Sequence, residues 1–592
     1  MKDVDKLIND ALDAHAKGNL EEARNLYIKT LQITPSNSKA LAWLGTLEAM
    51  NKNFEYAISL IQKALKIEPH NSSYLANLAS VLCECNLNEE ALNNINTAIL
   101  LDSKNSIFIK NRAVININLK NYSDAIKDIE RAKELEGENS SEMFLIMGNA
   151  LLGLGKTDEA LASYDNSIKK DKYNYEAYLN KGNILAKNKN KKKAIDAYIS
   201  AININNNYSE AYAYLASSYL DMDNLDSAEY YCIKALNIDP KAVHAINIYG
   251  LIKVRQSKFS EALDYFNTIL KDYPREPNAN YNKSLVLMRL GNYCEGLPLY
   301  EWRWKTKEFE HKYKILNKPL WLGIEDINGK KILVHCEQGL GDIIQYVRYL
   351  EQVSKLGAYI IFQVPVLLHP LMRGISGVNK LISTECNEDS YDFHCPLMSL
   401  PLAIGLGEKP SPYLNIDSSS VHKWKNYIGD DGFKIAICWQ GNNSSEVDIG
   451  RSFGVEFFSK ISSIENIRLI SLQKNRLQDD TANLKDLSIE ELPKDFDTSN
   501  GAFIDSAAIM KCVDLVITSD TALTHLAGAL GVKTFLLLQK VPDWRWGQEA
   551  DDTVWYPNHK LFRQSIRGDW AGVFNKLKIE VEKLIRANPI SI

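Results

Sequence analysis

The chain has 592 residues, too many for one hydrophobic core, so we expect several domains. Its formal net charge is −5 with both signs interspersed, which argues against a nucleic-acid surface. No apolar run approaches the roughly 18 residues of a membrane span, and the amino terminus lacks the apolar core of a signal peptide. The nine scattered cysteines form no paired metal motif, so we expect a reduced, cytoplasmic protein.

The first half of the sequence repeats itself about every 34 residues. An alanine recurs just after a polar turn, at Ala23, Ala57, Ala91, Ala125, Ala160, Ala194, Ala228 and Ala262. Apolar and small residues between these positions have helical spacing, which predicts two antiparallel helices per repeat over roughly residues 4–310. The pattern resembles the tetratricopeptide repeat, with Gly45, Gly148, Gly182 and Gly250 at its small position.

Such repeats stack into a superhelix whose concave face binds polypeptide. Four asparagines lie two residues before the small position: Asn77, Asn111, Asn180 and Asn282. In the tetratricopeptide array of protein O-linked sugar transferases, asparagines here hold the acceptor backbone. The resemblance therefore implies an acceptor-binding groove, and the alternative is that an asparagine-rich composition placed them there.

After a linker at 311–328, the pattern changes to short apolar strands alternating with helices. We predict strands at 332–336, 434–439, 468–473, 515–517 and 534–538, and a helix at 504–511. This alternation predicts two parallel-sheet units, at 329–410 and 432–592, with a cleft between their strand ends.

Two turns that follow predicted strands carry polar groups. Gly339 and Gly341 flank the start of one helix, a phosphate-cradling arrangement without the full dinucleotide fingerprint. Asp520, Thr521 and His525 lie at the start of another, where free backbone N–H groups favour an anion. The alternative for the second turn is an ordinary helix cap and a buried structural histidine.

These motifs resemble the heptosyltransferase family. Gly339-Leu340-Gly341-Asp342 and Asp520-Thr521-x-x-x-His525-Leu526 carry the likeness, which implies the two-domain GT-B fold, a nucleotide-sugar donor and metal-independent inversion. Repeat-fused members, including bacterial flagellin glycosyltransferases, are more similar still. The further motifs are Trp439-x-Gly441-Asn442, Arg451-Ser452, Ser471-Leu472-Gln473 and Asp543-Trp544-Arg545-Trp546.

The resemblance suggests a role for each residue. Asp342 is the candidate base for the acceptor hydroxyl, and the alternative is a plain helix cap. The predicted nucleotide-sugar site comprises Gly339, Gly341, Trp439, Gly441, Arg451, Gln473, Asp520, Thr521 and His525. Arg451 stands where the family has a lysine and keeps the charge that a leaving diphosphate needs.

The sequence thus predicts an all-α tetratricopeptide superhelix followed by an α/β GT-B glycosyltransferase with a polypeptide acceptor. We expect no cofactor beyond the donor substrate and no metal, although Asp495-Phe496-Asp497 matches the spacing of an Asp-x-Asp metal motif. Two alternatives stay open: a non-catalytic scaffold with a degenerate GT-B domain, and transfer to a glycan or lipid-linked saccharide.

Overall fold

The computed structural model describes residues 2–309, 316–384, 387, 390–407, 412–441, 450–474, 484–498 and 501–587. The chain forms two compact units. The amino-terminal unit comprises Met1–Ser218 and Tyr230–Asp239, and the carboxy-terminal unit comprises Tyr219–Glu229 and Pro240–Ile592. The two units therefore divide within the seventh repeat, and the last two repeats belong with the α/β region.

The amino-terminal unit consists of paired helices. They are α1 (Lys2–Ala16), α2 (Leu20–Ile33), α3 (Ser38–Met50), α4 (Phe54–Ile67), α5 (Ser72–Glu84), α6 (Asn88–Leu101), α7 (Ser106–Asn118), α8 (Tyr122–Glu136), α9 (Ser141–Gly153), α10 (Thr157–Lys170), α11 (Tyr175–Lys187) and α12 (Lys191–Ile204). The helices α13 (Ser209–Asp221) and α14 (Leu225–Ile238) contain the boundary between the units. The predicted two helices per repeat are confirmed.

Repeats with a glycine at the small position pack this residue of the first helix against a large side chain of the second helix. A methyl group added at Gly148 would lie 2.5 Å from the Tyr164 ring, and one added at Gly182 would lie 2.5 Å from Tyr198. The recurring alanines, such as Ala57 at 0% exposure, let the helices approach from the other side. Glycine is required at 148 and 182 because in each case a tyrosine ring already fills the space of a side chain.

The carboxy-terminal unit contains the last repeats and two parallel sheets. Its first helices are α15 (Val243–Arg255), α16 (Phe259–Asp272), α17 (Pro277–Arg289) and α18 (Tyr293–Tyr300), followed by a 3₁₀ turn at Glu301–Lys305. The strands are β1 (Lys331–His335), β2 (Tyr359–Gln363), β3 (Lys380–Ile382), β4 (Phe393–Pro396), β5 (Phe433–Cys438), β6 (Ile467–Ser471), β7 (Glu490–Glu491), β8 (Leu515–Ser519), β9 (Thr534–Leu538) and β10 (His559–Arg563). The other helices are Leu340–Tyr346, Leu350–Ser354, His369–Met372, Leu400–Ile404, Ser418–Ile428, Ser459–Ser462, Ile504–Met510, Ala522–Ala529 and Trp570–Ala587.

The two sheets are wholly parallel in their pairing. The first has the order β3-β2-β1-β4, and the second has the order β10-β9-β8-β5-β6-β7. In the second sheet Ile435 lies opposite both Leu469 and Leu515. Because helices cover a parallel sheet on both faces, its central strands are almost continuously apolar, as in β8 and β9. The predicted change to an α/β architecture is confirmed.

The last repeat is joined to the α/β region through buried charge. Arg303 is fully buried, with its guanidinium 4.6 Å from the Tyr300 ring and 4.4 Å from the Trp304 ring. It donates to Ser399 Oγ at 2.8 Å and to the Glu337 carboxylate at 3.2 Å. A buried guanidinium is tolerated because it is paired and hydrogen-bonded in this way.

Two further contacts join the repeats of this unit to its α/β region. Arg289 donates to the Pro542 carbonyl at 2.8 Å, beside the packing of Trp544 on Tyr293 and Tyr300. Arg567 pairs with Asp223, its Nε lying 2.8 Å from Oδ2. The last repeats therefore share a hydrophobic core with the α/β region, and Asp223 of the seventh repeat adds an ion pair.

Candidate active site

The carboxyl ends of β1 and β8 meet through the two helices that follow them. A methyl group added at Gly341 would lie 3.0 Å from His525 Cδ2 and 3.1 Å from Ala522 Cα. The glycine therefore allows helix Leu340–Tyr346 to approach helix Ala522–Ala529. This approach brings together the two polar turns that the sequence identified separately.

Asp342 uses both carboxylate oxygens. Its Oδ2 accepts the Gly339 N–H at 2.9 Å and so caps its own helix. Its Oδ1 accepts Arg545 Nη2 at 2.5 Å, and Arg545 Nη1 also donates to Asp543 at 2.9 Å. Burial raises the pKa of Asp342, while the Arg545 guanidinium acts in the opposite direction. The side chain is thus both a helix cap and one half of an ion pair.

Asp520 follows β8 and belongs to the same group of charges. Burial raises its pKa to about 6, the Asp543 carboxylate adds to the rise, and Arg451 and Arg545 oppose it. Arg451 also lowers the pKa of Asp342, so its charge reaches both acids. Three carboxylates and two guanidinium groups therefore converge where the polar turns meet. Such a cluster of perturbed acids in one place is typical of a functional site.

The helix that starts after Thr521 carries the predicted histidine. His525 is buried, its Nδ1 lies 3.0 Å from the Tyr556 hydroxyl, and its ring stacks on Trp546 at 5.5 Å. Burial holds the pKa of His525 well below its ordinary value, so the ring is neutral. The Thr521 hydroxyl lies 3.3 Å from that of Thr518. A phosphate contact of His525 stays a prediction, and the structure places the ring in a partnered, buried environment.

Three predicted residues order the loop after β5. Gln473 Oε1 accepts the N–H groups of Trp439 and Gln440 at 3.2 and 3.0 Å, and Gln473 Nε2 donates to the Gln440 carbonyl at 3.1 Å. The Gly441 N–H donates to Ser452 Oγ at 3.1 Å, and the Trp439 ring is buried. These contacts fix residues 439–441 after β5 and join them to Ser452, the neighbour of Arg451. Asn442 of the quoted motif lies outside the described residues.

The asparagines predicted to line the repeat groove form a ladder between neighbouring repeats. Their amides donate to the preceding repeat in four pairs: Asn77 to Thr46 at 3.2 Å, Asn111 to Ser80 at 3.3 Å, Asn180 to Asn149 at 3.0 Å and Asn282 to Asn247 at 3.0 Å. The shared position therefore has a structural use. Contact with an acceptor stays a prediction.

Sequence reasoning gave no role to two residues of this region. Arg545 lies in a 3₁₀ turn, and the only sequence feature that could have indicated a role for it is the nearby acid Asp543. Glu337 follows β1, and burial raises its pKa to about 7.

The Asp-x-Asp motif has a structural explanation, because Asp497 accepts the N–H groups of Asp505 and Ser506 at 2.8 and 3.1 Å at the start of helix Ile504–Met510.

Family profiles described as tetratricopeptide repeat match residues 14–82, 147–210, 209–241 and 250–301. The chain is similar to Protein FlbA of Caulobacter vibrioides, with 24% identity over 315 residues, which cover 49% of this chain and 52% of FlbA. It is also similar to anaphase-promoting complex subunit 3 of Schizosaccharomyces pombe, with 25% identity over 158 residues, 27% of this chain and 24% of the subunit. The chain thus spans about half of the first relative and a quarter of the second.

Among solved structures, a tetratricopeptide repeat protein from Parabacteroides merdae matches at 19% identity and a TM-score of 0.31, over 48% of this chain and all of that one. YrrB, described as a TPR protein with an unusual peptide-binding site, matches at 21% identity and a TM-score of 0.23, over 31% of this chain and 95% of YrrB. None of the described helices is long and apolar enough to cross a membrane. By its sequence period, its helix pairs and these profiles, the first half of the chain is an array of tetratricopeptide repeats.

Proposed function

We propose that this protein is a glycosyltransferase of GT-B fold that moves a sugar from a nucleotide-sugar to a polypeptide recruited by the repeats. The observation that carries the proposal is the convergence of Asp342, Asp520, Arg451 and Arg545 beyond the ends of β1 and β8. Ligands of open parallel sheets bind beyond the carboxyl ends of the strands. Acids and guanidinium groups in that position suit proton removal and diphosphate binding.

The reaction is a single inverting displacement. The acceptor oxygen attacks the anomeric carbon, the bond from that carbon to the phosphate oxygen breaks, and the acceptor proton passes to the Asp342 carboxylate. The bonding electrons leave with the diphosphate. The Arg451 guanidinium and the N–H groups at the start of helix Ala522–Ala529 stabilise that charge as it develops.

The polypeptide acceptor is supported by the repeats. Tetratricopeptide arrays bind proteins along their concave face, and the asparagine ladder runs from repeat to repeat. The resemblance to repeat-fused flagellin glycosyltransferases favours a protein acceptor over a glycan. We accordingly place the reaction in the cytoplasm, where such an acceptor is made.

A non-catalytic scaffold is the second candidate, and one observation favours it. Both oxygens of Asp342 already have partners, Gly339 and Arg545, so its side chain has a complete structural use. On this alternative the α/β region binds a nucleotide without turnover.

The two candidates separate in a donor screen with the full chain. Melting temperatures measured with a panel of UDP-, GDP-, ADP-, dTDP- and CMP-sugars identify the donor, and intact-mass analysis of a captured polypeptide then detects transfer. Arg451→Ala is expected to weaken donor binding by about 1.5–3 kcal/mol, the range for a charged hydrogen bond. The matched control is Arg468→Ala, whose guanidinium pairs with Glu490 at 2.6 Å. A donor that binds but is never consumed would favour the scaffold, and no binding by any member would contradict both.

A further inference from the structure

Arg545 is the most enclosed charge of the site. Its side chain is 9% exposed, and its guanidinium lies 5.1 Å from the Trp544 ring and 5.6 Å from the Tyr346 ring. Its Nη2 and Nη1 bind Asp342 and Asp543 at 2.5 and 2.9 Å. The Nε is buried with no hydrogen-bond partner among the described residues. The two Nη atoms of the guanidinium are therefore paired with carboxylates, while its Nε–H can still donate a hydrogen bond.

This pairing weakens the candidate base. An acceptor hydroxyl needs a carboxylate oxygen of Asp342 with a high proton affinity, yet one oxygen holds the Gly339 N–H and the other holds the Arg545 guanidinium, whose positive charge lowers the pKa of the carboxyl. Releasing the Gly339 N–H would uncap the helix. Releasing Arg545 raises the basicity of the carboxylate and leaves the helix cap in place.

The same guanidinium lies beside the predicted diphosphate site. Its charge lowers the pKa values of both Asp520 and His525, which lie at the start of helix Ala522–Ala529. A diphosphate offers more negative charge than one carboxylate and matches the guanidinium fork with two oxygens. A diphosphate bound there competes directly with Asp342 for Arg545.

We propose that Arg545 transfers from Asp342 to the diphosphate when the donor binds, so that donor binding itself releases the catalytic base. This inference rests on the proposed function and adds an order to it, with donor before acceptor. It also assigns Arg545, together with Arg451, to the leaving group. The exchange couples proton removal to departure of the diphosphate, because Asp342 becomes available as a base only when Arg545 already neutralises the leaving group.

The exchange has an electrostatic signature. The charged and titratable groups acting on Asp342 are Arg545, Asp543, Arg451 and Tyr346. Of these, Arg545 is the largest influence that keeps the pKa of Asp342 down. Once it has moved to a diphosphate, the buried carboxylate has a higher pKa, so it is a stronger base and takes up a proton in mildly acidic solution.

The test is calorimetric titration of the full chain with inorganic pyrophosphate at mildly acidic pH, in two buffers of different ionisation enthalpy. We expect the unmodified protein to take up more protons on binding than Asp342→Asn does. We expect Asp342→Asn to bind pyrophosphate about tenfold more tightly, since the competing carboxylate charge is gone, and Arg545→Ala to bind at least about tenfold more weakly. Glu490→Gln, which removes the carboxylate partner of Arg468, is the matched control and should change neither quantity.

Equal affinity and equal proton uptake in the unmodified protein and Asp342→Asn would overturn the exchange, while the nucleotide-sugar panel would still support the proposed function. Failure of the unmodified protein to bind pyrophosphate would also overturn it, and the same panel would then decide the proposed function separately. If Arg545→Ala does not fold, Arg545→Lys serves instead. It keeps the charge without the fork, so an intermediate affinity is expected and an unchanged affinity would contradict the proposal.

Discussion

The repeats and the α/β region use the same packing device for different ends. In the repeats Gly148 faces Tyr164 and Gly182 faces Tyr198, each pair sixteen residues apart. In the α/β region Gly528 faces Tyr556, whose hydroxyl also contacts His525. The ring of Tyr164 closes a helix pair, and its hydroxyl donates to Asn149 of the asparagine ladder at 2.7 Å, whereas the ring of Tyr556 supports His525 of the candidate active site. The contact that recurs with the sequence period therefore positions a side chain of the asparagine ladder, and the contact that a later segment supplies positions a residue of the candidate active site.

The largest expected effect is on turnover, and it tests whether a residue of the α/β region has a role beyond stability. Asp342→Asn is expected to lower kcat by about 10²–10⁴-fold, the usual contribution of a general base, without weakening donor binding. The amide oxygen can still accept the Gly339 N–H, so the helix cap survives. Steady-state kinetics with the identified donor and acceptor measure the change. Normal turnover would leave Asp342 a cap and remove the distinction between the two regions at this residue.

Glycine substitutions probe the packing device itself. Gly148→Ala and Gly528→Ala each push a methyl group into a ring, and each is expected to cost about 1–3 kcal/mol of unfolding free energy by overpacking. Gly528→Ala should in addition reduce donor affinity, because Tyr556 holds His525. Urea unfolding and donor titration measure the two effects. A Gly528→Ala protein with undiminished donor affinity would break the comparison, since neither glycine would then affect donor binding.

The smallest expected effect is on the free energy of unfolding, which the buried charge of Asp520 lowers. Because burial raises the pKa of Asp520 to about 6, its contribution to stability is fully present below the unfolded pKa near 4 and is lost as the pH rises through 6. Asp520→Asn should therefore stabilise the protein at pH 8 by roughly 1–2 kcal/mol, and by much less at pH 4. Melting curves at the two pH values decide it. A gain that is equal at both would mean that the charge of Asp520 is not the cause.

The sequence predicts most of this fold because most of the fold is periodic. The repeat period places α1–α18, and apolar runs place β1, β5, β8 and β9 within one or two residues of their observed bounds. Asp342 and Asp520 could be found because each follows a strand, where the carboxyl ends of a parallel sheet are brought together. The segment after β1 is less regular, because a 3₁₀ turn at Val347–Tyr349 separates helix Leu340–Tyr346 from helix Leu350–Ser354.

Arg545 could not be given its role from the sequence. It lies in a three-residue turn with no period, and its partner Asp342 is 203 residues earlier in the chain. For a related reason, the sequence identified the donors of the asparagine ladder but not their acceptors. The donors share one position, whereas their acceptors vary among Thr46, Ser80 and Asn149. A hydrogen-bonded pair can be predicted from one sequence when both residue types repeat with the period. In these pairs only the donor does so.

The ion pair of Arg567 with Asp223 and the packing of Trp544 on Tyr293 and Tyr300 bear on how such a chain can be recombined. A cut near residue 310 would strip Trp544, the neighbour of Arg545, of its apolar support. A join inside the seventh repeat, where the two compact units divide, would leave that support intact. On the proposed function, exchanging the first six repeats there would present a different polypeptide to the same α/β region.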